Sequence, residues 1–233
     1  MKLRLITALA TALCISFAHA ANETEEDFIC PAGGKAFTQI LPDTGKAMGY
    51  MLDMQPYGAV VSPLPLPICP DNGFVIYKDK FFAAEVNALL PLLEDSGFQK
   101  QPVHYRAFLM MQHLQEPLPR QLRMLQEASW NGPDSYRQQA LALLEQILRD
   151  DKLSVRARLD YLLLKAEFEH RIGQFDQASA TLQTAETLKP ASLAFFAGII
   201  QCQRNLIHTK NRKTAPTPNE RISCGQNINV NIN

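Results

Sequence analysis

Between residues 21 and 78 the chain carries seven prolines and six glycines. Proline lacks a backbone N–H and clashes with the preceding turn, and glycine loses the most freedom on ordering, so this density excludes long helices. Short apolar runs lie between the breakers: Ala36 to Leu41, Gly58 to Val61 and Phe74 to Tyr77. They predict a module of short strands and turns whose thin core calls for a covalent or metal clip. Past Lys78 the pattern changes. Phe81, Phe82, Val86, Leu89, Leu90 and Leu93 recur at helical spacing, with Pro91 expected to kink or end that helix. Further helices are predicted at about 102–115, 119–130, 134–150, 153–172, 174–188 and 191–208. Pro117, Pro119, Gly132-Pro133 and Lys189-Pro190 punctuate them, and Asp134 is placed to cap the helix it precedes. Short connections predict antiparallel neighbours.

The first twenty residues have the three parts of a cleavable secretory signal. Lys2 and Arg4 give a positive start, Leu5 to Ala18 run apolar, and Ala18-His19-Ala20 places small residues for cleavage before Ala21. The apolar run is about fourteen residues, short of the roughly 20 that a membrane-spanning helix needs. The mature chain is therefore expected in the periplasm or outside the cell. The expected division is 1–20 signal, 21–78 Pro/Gly-rich head, 79–208 helical array and 209–233 extended tail.

Apolar residues make up 46% of the chain, enough for a sizeable core. Removing Lys2 and Arg4 leaves 21 basic against 23 acidic side chains, a balance with no global field for nucleic acid. The acidic start (Glu23, Glu25, Glu26, Asp27) and the basic tail (Lys210, Arg212, Lys213, Arg221) read as solvated, mobile ends. Four cysteines remain after processing: Cys30, Cys69, Cys202 and Cys224. An even number in an oxidising compartment favours disulfides. Of the three pairings open to four cysteines, closure of near neighbours prefers Cys30–Cys69 and Cys202–Cys224.

Residues Leu159–Ser192 carry the most specific pattern. Ala166 and Ala178 are small where two helices would cross, Gly173 allows the turn between them, and Phe175 opens the second helix. Leu182 keeps the same spacing, Ala185 faces the next helix and Pro190 ends the unit. This spacing resembles a tetratricopeptide repeat over one 34-residue unit. Glu169 departs from it where an aromatic is common, and Lys165 where leucine is common. One repeat cannot bury its faces alone, so flanking helices must complete an array with a concave surface for peptides or partner proteins.

Cys30-Pro31-Ala32-Gly33-Gly34 and Cys69-Pro70-Asp71-Asn72-Gly73 look like two copies of one knuckle. A zinc ribbon reads Cys-Pro-x-Cys-Gly at both places, giving four thiolates. Here Gly33 and Asn72 stand where the second cysteines would be. With the helices that follow, the chain resembles an uncharacterised bacterial family in which a zinc-ribbon-like head precedes tetratricopeptide-like helices. That family's presumed metal site does not carry over, because half its ligands are missing; a Cys30–Cys69 disulfide is expected in its place. The fold class is thus read as mainly α: a small irregular or β head, degenerate and zinc-ribbon-like, followed by an antiparallel tetratricopeptide-like array.

No two histidines sit three or four residues apart on a helix, and His104, His113, His170 and His208 read as surface or boundary residues. Gly-x-Ser-x-Gly turns, phosphate-binding glycine loops and Cys-x-x-Cys pairs are lacking. Tyr105, Phe108, Met110 and Met111 read as core packing, and Trp130 as the plug of a helix–loop junction. The expectation is a non-enzymatic exported module that binds another envelope protein or peptide, with no catalytic residue, metal or cofactor assigned. The rivals are an enzyme, a hydrolase for example, whose site lies between head and array with Asp53, Tyr57, His104 and Tyr105 as nearest groups, and a metal-binding module.

Overall fold

The computed structural model describes residues 23–188 and 193–217, with residues 193–195 placed by backbone alone. The signal segment, Ala21, Pro190, Arg221 and Cys224 lie outside the described residues. Within them the chain is mainly helical, with a small head of two antiparallel two-stranded sheets. The first sheet pairs β1 (Glu23–Ile29) with β2 (Ala36–Pro42). The second pairs β3 (Lys46–Tyr50) with β4 (Pro56–Ala59) through a bulge between Ala47 and Gly49. Eight helices follow: α1 (Ala83–Glu94), α2 (Ser96–Gln99), α3 (Val103–His113), α4 (Leu118–Trp130), α5 (Asp134–Leu148), α6 (Val155–Arg171), α7 (Phe175–Thr187) and α8 (Leu193–His208).

The six predicted later helices fall where the apolar periodicity puts them. α1 continues one turn past Pro91, whose exposed position leaves the unpaired carbonyl of Asn87 to water. Asp134 is not the cap. Pro133 holds that position, and the Asp134 carboxylate is turned to Arg137 Nη1 at 3.2 Å and to Arg212. Ser154 does cap α6, accepting from Ala157 N at 3.1 Å.

At both charged ends the described charged side chains are exposed, as expected of solvated ends, but the backbone of residues 23–29 and 215–217 is paired rather than free. The acidic start forms β1, paired with β2 along its whole length, because backbone pairing leaves the carboxylates in water. Thr38 Oγ1 donates across the ladder to Asp27 Oδ1 at 2.7 Å, and Phe28 stacks on Phe37. The tail turns back after α8 and lies against the head. Leu52 N donates to Ala215 O and Thr217 N to Tyr50 O, each at 2.8 Å. Residues 211–217 thus act as a strap beside β3, with Ala215 buried.

The head has its knuckles inside the main core. Cys30, Cys69, Phe74 and Val75 pack in one continuous cluster with Leu89, Phe108, Met110, Leu125, Leu144 and Phe168. Each large apolar side chain so buried contributes about 1.5–3 kcal/mol. A second cluster joins α6, α7 and α8 through Leu159, Ala166, Ala178, Leu182, Phe196 and Ile200. A third, smaller one gathers Leu52, Cys202, Leu206 and Ala215 under the strap. No helix among the described residues is long and apolar enough to cross a membrane.

Candidate functional site

The two knuckles share one backbone hydrogen-bond pattern. Cys30 O accepts from Gly34 N at 3.0 Å and Cys30 N donates to Lys35 O at 2.9 Å; Cys69 O accepts from Gly73 N and Cys69 N donates to Phe74 O, both at 2.9 Å. Gly34 (φ 68°) and Gly73 (φ 70°) close the turns in the left-handed region that glycine enters without a Cβ penalty. The buried Cys30 and Cys69 form a disulfide with Cα atoms 5.5 Å apart. Asn72 adds a second link: its Nδ2 donates to Ala32 O at 2.8 Å, while its Oδ1 accepts from Phe74 N at 3.0 Å. An amide therefore crosses between the two knuckles beside the disulfide. Beside it, Gln99 Nε2 and Arg106 Nη1 donate to the carbonyls of Asn72 and Gly73 at 2.8 and 3.1 Å, tying the knuckle to α2 and α3.

The repeat residues sit on α6 and α7. Ala166, Ala178, Leu182 and Ala185 are buried in the second cluster, Phe175 packs against it, and Gly173 (φ 85°) makes the turn. The two departures from the repeat pattern pair with each other. Lys165 Nζ donates to Glu169, whose Oε2 accepts from Thr181 Oγ1 at 2.7 Å. The same lysine borders a groove of about 410 Å³ between α5, α6 and α7, with Glu145, Leu148, Leu162 and Thr184 on its walls. Cys202 is fully buried on α8, and its expected partner Cys224 lies outside the described residues.

A buried polar cluster lies where the β3–β4 turn, the ends of α4 and α6, the start of α5 and the strap meet. Asp53 is 2% exposed. Its Oδ2 accepts from Arg171 Nη1 at 2.9 Å and its Oδ1 from Gln55 N at 3.2 Å. Its backbone carbonyl accepts from Gln126 Nε2 at 2.7 Å and Trp130 Nε1 at 3.1 Å. Burial, reinforced by the nearby Glu167 carboxylate, pushes the Asp53 carboxyl up to about 6 despite the opposing charge of Arg171. Glu167 is 0% and His170 1% exposed. His170 Nδ1 stands 3.5 Å from Glu167 Oε2, and His170 Nε2 meets the carbonyl of Asn211 from the strap. Neither Glu167 oxygen has a hydrogen-bond partner among the described residues. Arg137 is spent elsewhere, donating to Ser129 O, Gly132 O and Asp134.

His170 and His104 are thus buried, where the sequence suggested surface or boundary residues. His104 Nε2 bonds Leu64 O at 2.9 Å, and burial lowers its imidazole pKa. The apolar stripe Leu159, Leu163, Ala166 at four-three spacing runs on into His170, which is the signal that could have marked it. Arg171 and Arg137 carry no such signal. Asp53, Tyr57, His104 and Tyr105 keep separate surroundings. Tyr57 packs against Gly49, and Tyr105 stacks on Tyr136 at 4.1 Å. None of the four lines the groove between α5, α6 and α7 or the one beside the second knuckle. No set of three or more His, Cys, Asp or Glu side chains among the described residues comes together as a metal site. Comparison with family models, curated proteins and solved structures returns no match to this chain.

Proposed function

We propose that this chain is an exported, periplasmic or secreted, protein-interaction module: a disulfide-closed head fixed to a tetratricopeptide-like array that holds an extended segment of another envelope protein or peptide. The single observation that carries the reading is the α6–α7 hairpin. Its small residues meet at the crossing, and it leaves an open groove toward α5 lined by leucines, Lys165 and threonines. An extended peptide suits such a groove, since Leu148 and Leu162 can take apolar side chains while Thr181, Thr184 and Lys165 bond its backbone. The Cys30–Cys69 disulfide supports an oxidising location. The paired knuckles support the zinc-ribbon-like ancestry of the head, with sulfur–sulfur bonding and Asn72 in place of two thiolates.

A photo-crosslinking residue at Leu162 or Thr184, in protein expressed with its full leader, is expected to trap an envelope protein or peptide. The same residue at exposed His113 on α3 is expected to trap none. Equal trapping at all three positions, or none at the groove, refutes the reading. Amino-terminal sequencing of the recovered protein is expected to begin at Ala21.

A further inference from the structure

We propose that the outer face of α1 is where two copies of this chain meet, as an antiparallel helix pair with its two-fold axis beside Asn87. α1 is the first helix of the array, and it buries Leu89 and Leu93 on its inner side. At about 100° per residue, Ala83, Ala84, Asn87, Leu90, Pro91 and Glu94 fall within one sector of about 120° on the opposite side. All of them are exposed, Leu90 at 44%. Glu94, at the far end, is the only charge among them. Glu85, the other acid of α1, lies outside this sector and pairs with Lys78. By contrast, α5 turns Ser135, Gln138, Glu145 and Gln146 to water. The end of a helical array needs a polar outer face for solubility, and α1 does not supply one.

The face is complementary to itself. Turned end to end about Asn87, Ala83 lies level with the partner's Pro91, and Ala84 with the partner's Leu90. The larger side chains of each helix then meet the small ones of the other, which lets two helices pack closely. A polar group fixes the register. Pro91 has no N–H to offer the Asn87 carbonyl. At the centre of the pair, each Asn87 side-chain amide is within reach of the partner's Asn87 carbonyl, so an acceptor that the helix leaves open gains a donor.

The ends match as well. Lys80, just ahead of α1, comes level with the partner's Glu94. Both are exposed, and neither has an ion-pair partner among the described residues. Asp79 and Asp95 lie further out, exposed and screened by water. Phe82 is 62% exposed and stands about 20° from Leu93 around the helix, a spacing close to three turns. The two-fold axis keeps it on that side and brings it level with the partner's Leu92. There it meets the mouth of the groove beside the second knuckle, which Ile68, Leu90, Leu93 and Glu94 help to line. That groove measures about 650 Å³, enough to take the ring. The pairing uses no residue of the groove between α5, α6 and α7, so it is independent of the peptide reading.

Sedimentation equilibrium of the exported, processed protein at about 100 µM is expected to give twice the chain mass. Ala84→Lys with Leu90→Lys sets like charges against each other across the pair. That variant is expected to associate at least tenfold more weakly, with unchanged helical circular dichroism. Ile40→Lys, at an exposed apolar position on β2, is expected to stay paired. A wild type of single-chain mass overturns the proposal, whatever else then covers α1. A dimer that survives the double lysine variant, or one lost in Ile40→Lys, overturns it too. Should the double variant lose its helical signal, Asn87→Cys decides. Oxygen with a copper–phenanthroline catalyst is expected to join two copies through residue 87, read by peptide mass, and to join none through Val155→Cys, exposed on α6. Absence of the 87–87 link, or equal linking at 155, overturns the pairing.

Discussion

Replacing both cysteines, Cys30→Ala with Cys69→Ala, removes one link while leaving the rest of the sulfur chemistry untouched. The disulfide closes a loop with a sequence separation of 39 residues. Cross-linking a loop of that size restricts the unfolded chain by about 4 kcal/mol at about 25 °C in the chain-entropy treatment. The sulfurs lie in the same cluster as Phe74 and Leu89, so their loss removes packing as well. Against a total stability of about 5–15 kcal/mol for an ordinary domain, this is a large fraction. With a urea slope of about 2 kcal/mol per molar, the unfolding midpoint is expected to fall by about 2 M. The assay is equilibrium urea unfolding followed by far-ultraviolet circular dichroism, without reductant. Asn72 keeps its bond to Ala32 in the variant, so the native turn remains available. A midpoint within about 0.5 M of wild type refutes the reasoning, because it means the knuckles are held by their surroundings alone.

Three further outcomes are expected. Burial raises the Asp53 carboxyl from 3.8 to about 6, so its neutral form favours the fold. That contribution is whole below pH 3.8 and lost as pH rises through about 6, about 3 kcal/mol in all; the stability of Asp53→Asn relative to wild type should grow by about this amount from pH 4 to 7 in urea unfolding, and a constant difference refutes it. Lys165→Leu strands the buried Glu169 and should cost about 3 kcal/mol, whereas Lys165→Leu with Glu169→Tyr should return to within about 1 kcal/mol of wild type by the same measurement. Phe74→Ala, at a fully buried position joining the second knuckle to the helices, should cost about 3–5 kcal/mol and lower the thermal midpoint.

Much of the architecture is legible in the sequence because it is local. Leu141, Leu144 and Ile147 repeat at helical spacing, and α5 forms there. Gly173 marks a turn and lies at φ 85° because only a residue without Cβ enters that region cheaply. The Cys-Pro copies are visible as a pair, and the bridge between them follows from closing a short loop. What misled the reading was polarity taken as exposure. Glu167, Glu169 and His170 lie in a run of charged residues, yet all three are buried. What reaches two of them comes from elsewhere: Thr181 on the next helix donates to Glu169, and Asn211 from the returning chain meets His170. The acidic start misled in the opposite way, since strand pairing uses the backbone and leaves the side chains free to be charged.

Residue pattern alone therefore determined where helices start and stop and where proline and glycine forbid them, because each depends on neighbours a few positions away. Only the tertiary structure decided that Asp53 meets Arg171 across 118 residues and that the strap brings Asn211 to His170. Such pairings depend on the path of the whole chain through space. The burial of an ionisable group is set by what that path lays over it, which no window of sequence contains.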